Sequence, residues 1–259
     1  MSVKRMTTLK KNKGLRQCLD IDQYIYYLGI PISYLFQTMI RTSPRLLLAA
    51  LALLACSSST LSANELKGNP QAGESKIASC IGCHGIVGYQ ASFPEVYKVP
   101  KISHQNGAYI IAALNAYKSG ERKHPTMRSV AQTLNDQDMA DIAAYYEGHG
   151  QTVSLPEQAE APSTKVNELL VKGGCNSCHG ANYSTPIMPA YPKIAGQNRD
   201  YLFVALKSYK TDGNATWGRS NPVMGGVAKQ FSNSELKEIA NYIGSQPGQL
   251  LVVPQSKFR

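Results

Sequence analysis

The sequence predicts an all-α fold built twice in tandem, on three observations. A short run occurs twice, as Cys80-Ile-Gly-Cys83-His84 and as Cys175-Asn-Ser-Cys178-His179. The residues that follow keep step at one offset: Pro100-Lys101-Ile102 matches Pro192-Lys193-Ile194, Gln105-Asn106 matches Gln197-Asn198, and Tyr117-Lys118 matches Tyr209-Lys210. Each half then closes on a stretch with apolar residues at i, i+3, i+4 and i+7, Met139/Ile142/Ala143/Tyr146 and Leu236/Ile239/Ala240/Ile243. That is the period of a helix with one buried face, and no β-rich alternating stretch competes with it.

Two thiols three apart, followed at once by a histidine, let both cysteines add to the vinyl groups of a porphyrin while the imidazole ligates its iron. A thioredoxin-like dithiol would need a βαβ surround and no histidine. A four-cysteine zinc site stays open on cysteine count alone, but it does not call for a histidine after each pair. The spacing therefore points to two covalently bound haem c groups, held through Cys80, Cys83, Cys175 and Cys178, with His84 and His179 on iron.

Taken in order, residues 1–63 read as a leader. They are basic, with a tyrosine- and isoleucine-rich run from Tyr24 to Ile40. Met39-Ile-Arg41-Thr-Ser-Pro-Arg45 then leads into the apolar Leu46 to Cys56 and the small-residue site Leu61-Ser62-Ala63. Charge, short apolar core and small residues in that order make an export signal starting at Met39, which places the mature chain in the periplasm and makes residues 1–38 an over-extended start. A membrane segment within Tyr24 to Ile40 is the alternative, but Gly29, Pro31 and Gln37 interrupt it and it is marginal in length. Leu53-Leu54-Ala55-Cys56 resembles a lipoprotein box, so Cys56 is a candidate lipid anchor, against the reading in which it is cut away.

The net charge of +10 is concentrated in this leader. Residues 1–63 carry eight Lys/Arg and two Asp/Glu, leaving nineteen basic and fifteen acidic residues in the remainder. Haem carboxylates would offset that excess, so the charge does not imply a nucleic-acid partner. Cys18 and Cys56 both lie in the leader, so the rest of the chain has no cysteine outside the two motifs.

Residues 64–147 form the first repeat. Asn69-Pro70 reads as an N-cap followed by proline, starting a helix that runs into Cys80, and Asn135 to Asp138 caps the closing helix. Residues 148–164, with Gly150, Pro156 and Pro162 and no sustained period, read as a connector. Residues 165–259 form the second repeat, which carries an insertion around Gly213 to Gly218 and a capping box at Ser232 and Glu235.

A haem with one histidine needs a sixth ligand or leaves its iron open, and that choice separates a carrier from an enzyme. Met127 and Met224 take the same place in the two halves, each in a Pro-x-Met setting, and are the candidate axial thioethers. Met139 falls on a buried helical stripe and reads as core. Met188, with Phe93 near its counterpart position, reads as packing beside a haem edge. His124 faces Asn221 and His104 faces Gly196, so neither histidine recurs, and both read as surface or hydrogen-bonding residues. His149 falls in the connector.

The paired motifs, the Tyr-Pro-Lys-Ile-Ala-Gly-Gln run from Tyr191 to Gln197 and the Asn-Pro-Val-Met run from Asn221 to Met224 resemble cytochrome c4, over about Asn64 to Pro254. The resemblance implies two tandem class I cytochrome c domains and a periplasmic dihaem electron carrier with His/Met ligation at both irons. It also implies membrane respiratory partners such as a bc complex and a terminal oxidase, with Pro100 and Pro192 on the histidine sides as carbonyl acceptors. The first half departs from the pattern at Ile102-Ser103-His104-Gln105. Two rivals stay open: the cytochrome subunit of a dehydrogenase such as a sulfide-oxidising flavocytochrome, and a dihaem peroxidase-like enzyme, which would need one methionine absent or displaced.

Overall fold

The computed structural model describes residues 66–152, 154, 161–211 and 213–254. The export signal from Met39, Cys18, Cys56 and part of the connector lie outside the described residues.

In the first half, α1 (Pro70–Glu74) and α2 (Ala78–His84) lead to the cysteine motif. Then come α3 (Gly107–Ser119), α4 (Pro125–Gln132) and α5 (Asp136–Glu147). The second half repeats the plan with α6 (Thr164–Gly173), α7 (Cys175–His179), α8 (Arg199–Ser208), α9 (Pro222–Ala228) and α10 (Asn233–Ser245). Both closing helices start with reciprocal capping boxes, Asn135 with Asp138 and Ser232 with Glu235, as the sequence predicts. Each half has its own core. Ile110, Leu114, Met139 and Ile142 meet in one, and Leu202, Leu236, Ile239 and Ile243 in the other. Burying such faces is what holds short helices in place.

The helix expected to run from Asn69 into Cys80 is broken in two. Asn69 caps α1 by accepting the N–H groups of Gln71 and Ala72, and the Ser75 hydroxyl donates back to the Ala72 carbonyl. Lys76 is drawn toward α5, where it meets Asp138 and Asp141 at 2.7 Å each. Gly73 permits the close approach of α1 to α5, since a Cβ there would sit 2.2 Å from the Asp141 carbonyl oxygen.

Both halves lie within one unit, Asn64–Arg259, and short strands join them. Strand β1 (Gln90–Ala91) pairs with β2 (Tyr97–Lys98) inside the first half. Strand β3 (Arg122–Lys123) pairs antiparallel with β4 (Gly218–Arg219) of the second half, at the end of the insertion. Glu95 and Lys207 add an ion pair at 2.7 Å across the same seam. The seam also carries a symmetric exchange of amides. Gln197 and Asn198 hydrogen-bond to the backbone of Lys101 and Val99, while Gln105 and Asn106 do the same to Lys193 and Tyr191. Asn106 and Asn198 stand at the N-cap positions of α3 and α8, yet make no side-chain cap bond.

Asp141 is buried and accepts from Lys76, the Asn69 N–H and the Gln137 amide, which together hold its carboxyl down at about 2. A depressed folded pKa contributes stability above the unfolded value, and that contribution is lost as pH falls through the folded one. Replacing Asp141→Asn is expected to cost about 2 kcal/mol at pH 7. The difference in melting temperature between wild type and variant should shrink as pH drops from about 4 toward 2. Thermal melts followed by circular dichroism across that range measure both effects.

Candidate functional site

The two cysteine–histidine motifs and both candidate methionines line one continuous cavity of about 850 Å³ that spans the two halves. Cys80, Cys83, Cys175 and Cys178 are half-buried and form no disulfide, and burial pushes the thiols of Cys80 and Cys175 up. Among the described residues no three His, Cys, Asp or Glu side chains converge as a metal cage requires. A four-cysteine zinc site would need the four thiols to converge on one ion, and no such group exists among the described residues.

Each motif histidine is fixed by one hydrogen bond. His84 donates from Nδ1 to the Pro100 carbonyl at 2.8 Å, and His179 to the Pro192 carbonyl at 3.0 Å. A carbonyl can only accept, so Nδ1 carries the proton and Nε2 keeps its lone pair free. Burial pushes both imidazoles down, against the opposing pull of these carbonyls, which keeps the rings neutral.

Met127 and Met224 lie at matching places, in the first turn of α4 and of α9, each two residues after the helix-opening proline. The N–H of Met127 donates to Nδ1 of His124 at 3.4 Å, and that of Met224 to Oδ1 of Asn221 at 2.9 Å. His124 and Asn221, unmatched as residue types, therefore do the same work as N-caps of the methionine helices. The pattern of cap, proline, any residue, methionine is visible in the sequence, but only an acceptor role for the histidine makes the two halves agree. Met139 is fully buried in the first core, as its stripe predicts. Met188 departs from expectation: it is 49% exposed and not part of the cavity wall, whereas Phe93 is.

Two further departures in the first half are resolved by the backbone. His104 is left-handed at φ 63°, matching Gly196 at φ 68°, so the Ser103-His104 replacement keeps the turn at a strain cost of roughly 1–3 kcal/mol. His104 donates from Nε2 to the Gln151 carbonyl, while His149 is hydrogen-bonded to Ser103 and stacked on Tyr145. Neither histidine lines the cavity.

The cavity wall at the seam is a feature that sequence reading missed. Tyr201 accepts from Arg122 at 2.6 Å and from Arg219 at 3.1 Å, and the same guanidinium groups reach Tyr109 and Tyr209. Among the described residues neither arginine has a carboxylate partner, and the buried Nε of Arg122 has no acceptor. Cations held together away from water require anions. Haem brings carboxylates on its propionates and a large apolar face, which suit this end and the aliphatic walls of the cavity respectively. Paired thiols, imidazoles with a free Nε2, thioethers and guanidinium groups without a carboxylate partner among the described residues together fit the group that the motifs imply.

A family model described as cytochrome c matches residues 71–148 and again 163–247. Fold and site thus define a c-type cytochrome of two tandem domains. Cytochrome c4 of Stutzerimonas stutzeri is 30% identical over 193 residues, covering 68% of this chain and 88% of that one. The crystal structure of reduced recombinant cytochrome c4 from Pseudomonas stutzeri matches with a TM-score of 0.53 at 29% identity, over 69% of this chain and 99% of that chain. The chain belongs to the cytochrome c4 family, a dihaem electron-transfer protein rather than an enzyme, with two covalently bound haem c groups. A thiosulfate dehydrogenase electron acceptor of Stutzerimonas stutzeri strain A1501 is also similar, 26% identical over 207 residues, covering 76% of this chain and 93% of that one.

Removing a cation from the seam disfavours the extra electron on either side of it. Arg122→Leu is expected to lower both reduction potentials in the holoprotein. The effect should be on the order of 1 kcal/mol, the energy of one unit charge at ~15 Å in an effective dielectric of ~20. A spectroelectrochemical titration reads both.

Proposed function

We propose that this protein shuttles single electrons between redox-protein partners in the periplasm, with His84 and Met127 as axial ligands in residues 64–147 and His179 and Met224 in residues 165–259, joined by the connector 148–164. The observation that carries this reading is the recurrence, in both halves, of a carbonyl-tethered histidine and a capped first-turn methionine on the walls of one cavity.

The haems supply one-electron iron chemistry, tuned upward in potential by thioether ligation. The chain does the rest. Cys80 and Cys83, like Cys175 and Cys178, fasten the macrocycle so that its position survives a change of charge. The carbonyls of Pro100 and Pro192 hold each imidazole in one tautomer and orientation. Met127 and Met224 would supply the second protein ligand to each iron, which would leave no place for a small substrate and argues against the peroxidase-like alternative. The helix stripes of α5 and α10 keep water from the cavity.

Partner choice follows charge. Residues 165–259 hold eleven Lys/Arg against five Asp/Glu, whereas residues 64–147 hold eight of each. Val171, Ile187, Met188 and Val223 are exposed on the basic half. An acidic partner is expected to dock there, on a membrane respiratory complex such as a bc complex or a terminal oxidase, with the rate falling as salt rises. The similarity to the thiosulfate dehydrogenase electron acceptor favours a second reading of the donor side, in which a dedicated dehydrogenase feeds the chain. Prompt reduction of the purified protein by such a dehydrogenase and its substrate, with none by a bc complex, would select it. Export from Met39 is part of the proposal, with a lipid anchor at Cys56 as the alternative to cleavage after Ala63, and the mass of the mature N-terminus separates the two.

Two low-spin haems per chain, with no response to carbon monoxide in the reduced form, are expected of the wild type. Met127→Ala and Met224→Ala should each turn one haem high-spin, open it to carbon monoxide and leave the other unchanged. A carbon monoxide complex in the unsubstituted protein would refute the ligand assignment for that half.

A further inference from the structure

Two peptide groups at the seam each make a pair of bonds that joins the domains. The peptide between Pro100 and Lys101 accepts His84 Nδ1–H at its oxygen, 2.8 Å away, and donates its N–H to Oε1 of Gln197 at 2.9 Å. Gln197 belongs to the other domain. The peptide between Pro192 and Lys193 repeats this with His179 at 3.0 Å and Gln105 at 2.9 Å. Neither glutamine can drift. Both are 4% exposed, and each Nε2 donates to the carbonyl of the same lysine, at 2.9 Å for Lys101 and 3.0 Å for Lys193.

We propose that Gln197 and Gln105 are positioning residues that set, each from the opposite domain, the reduction potential of the haem whose histidine hangs on the peptide it holds. An amide whose N–H is engaged by an acceptor is polarised, and its oxygen becomes a stronger acceptor. A stronger acceptor on Nδ1–H makes the imidazole more electron-donating, which favours the ferric state. Gln197 thereby holds the potential of the first domain's haem down, and Gln105 does so for the second. The inference rests on His84 and His179 being iron ligands.

The seam contains its own control. Asn198 and Asn106 cross it at 2.9 and 3.0 Å, to the carbonyls of Val99 and Tyr191. Those peptides end on the nitrogens of Pro100 and Pro192, which have no N–H, and their oxygens do not hold the histidines. Loss of Asn198 weakens the interface without touching the relay.

The test uses the full-length dihaem protein, with the two potentials assigned by the paramagnetically shifted methionine methyl signals. Gln197→Leu is expected to raise the potential of the first haem and leave the second in place, Gln105→Leu to do the reverse, and Asn198→Ala to move neither. Gln197→Glu retains an acceptor and should return the first haem to its wild-type potential or below it. This provides a second variant if the leucine form does not fold. Independently of redox state, hydrogen exchange at the Lys101 amide should accelerate in Gln197→Leu while that at Lys193 stays protected. A common shift of both haems, a shift confined to the glutamine's own domain, or an Asn198→Ala effect as large as that of Gln197→Leu overturns the proposal. His84→Ala separates the two levels: if it leaves the first haem low-spin, the ligand reading falls and takes this inference with it. If it produces a high-spin haem while Gln197→Leu moves nothing, only the cross-domain inference falls.

Discussion

An imidazole that is to bind iron must present Nε2 without a proton, in one orientation, on a neutral ring. The Nδ1–H bonds from His84 to the Pro100 carbonyl and from His179 to the Pro192 carbonyl meet all three demands at once, and much of the architecture serves to hold those two carbonyls still. Proline helps, because its ring removes one backbone freedom at the acceptor residue. The following lysine then needs a partner for its N–H in a buried place, and the partner comes from the other domain. Domain pairing and the orientation of both histidines are thus served by the same few hydrogen bonds.

These bonds give the interface its polar character. The glutamine and asparagine side chains satisfy backbone groups that would otherwise be orphaned, and the β3–β4 ladder does the same for Arg122 and Arg219. The guanidinium groups remain the incomplete part, bridged by the Tyr201 hydroxyl and lacking a carboxylate partner among the described residues. A cofactor carrying its own acids would complete them.

The two halves are alike in plan and unlike in detail. His104 carries in a strained left-handed turn what Gly196 does freely, and His124 caps a methionine helix through a ring nitrogen where Asn221 uses an amide oxygen. Basic residues accumulate in the second half and balance in the first. Such differences give two domains of one plan unlike surroundings.

The sequence by itself determined the class of cofactor, because haem attachment is a local matter of residue type and spacing. The cysteine pairs, the adjoining histidines, the Pro-x-Met recurrence and both capping boxes were all legible within a few residues of chain. The break between α1 and α2 was not, since it depends on Lys76 finding Asp138 and Asp141 more than sixty positions away. Nor was the exposure of Met188, or the use of Asn106 and Asn198 as cross-domain donors. The tertiary structure alone decided that Gln105 and Gln197 stand behind the other domain's histidine and that Arg122 and Arg219 meet over Tyr201. A repeat in sequence announces two similar domains, but their faces come together only when buried backbone groups on each find acceptors on the other, and that pairing is a property of three-dimensional register.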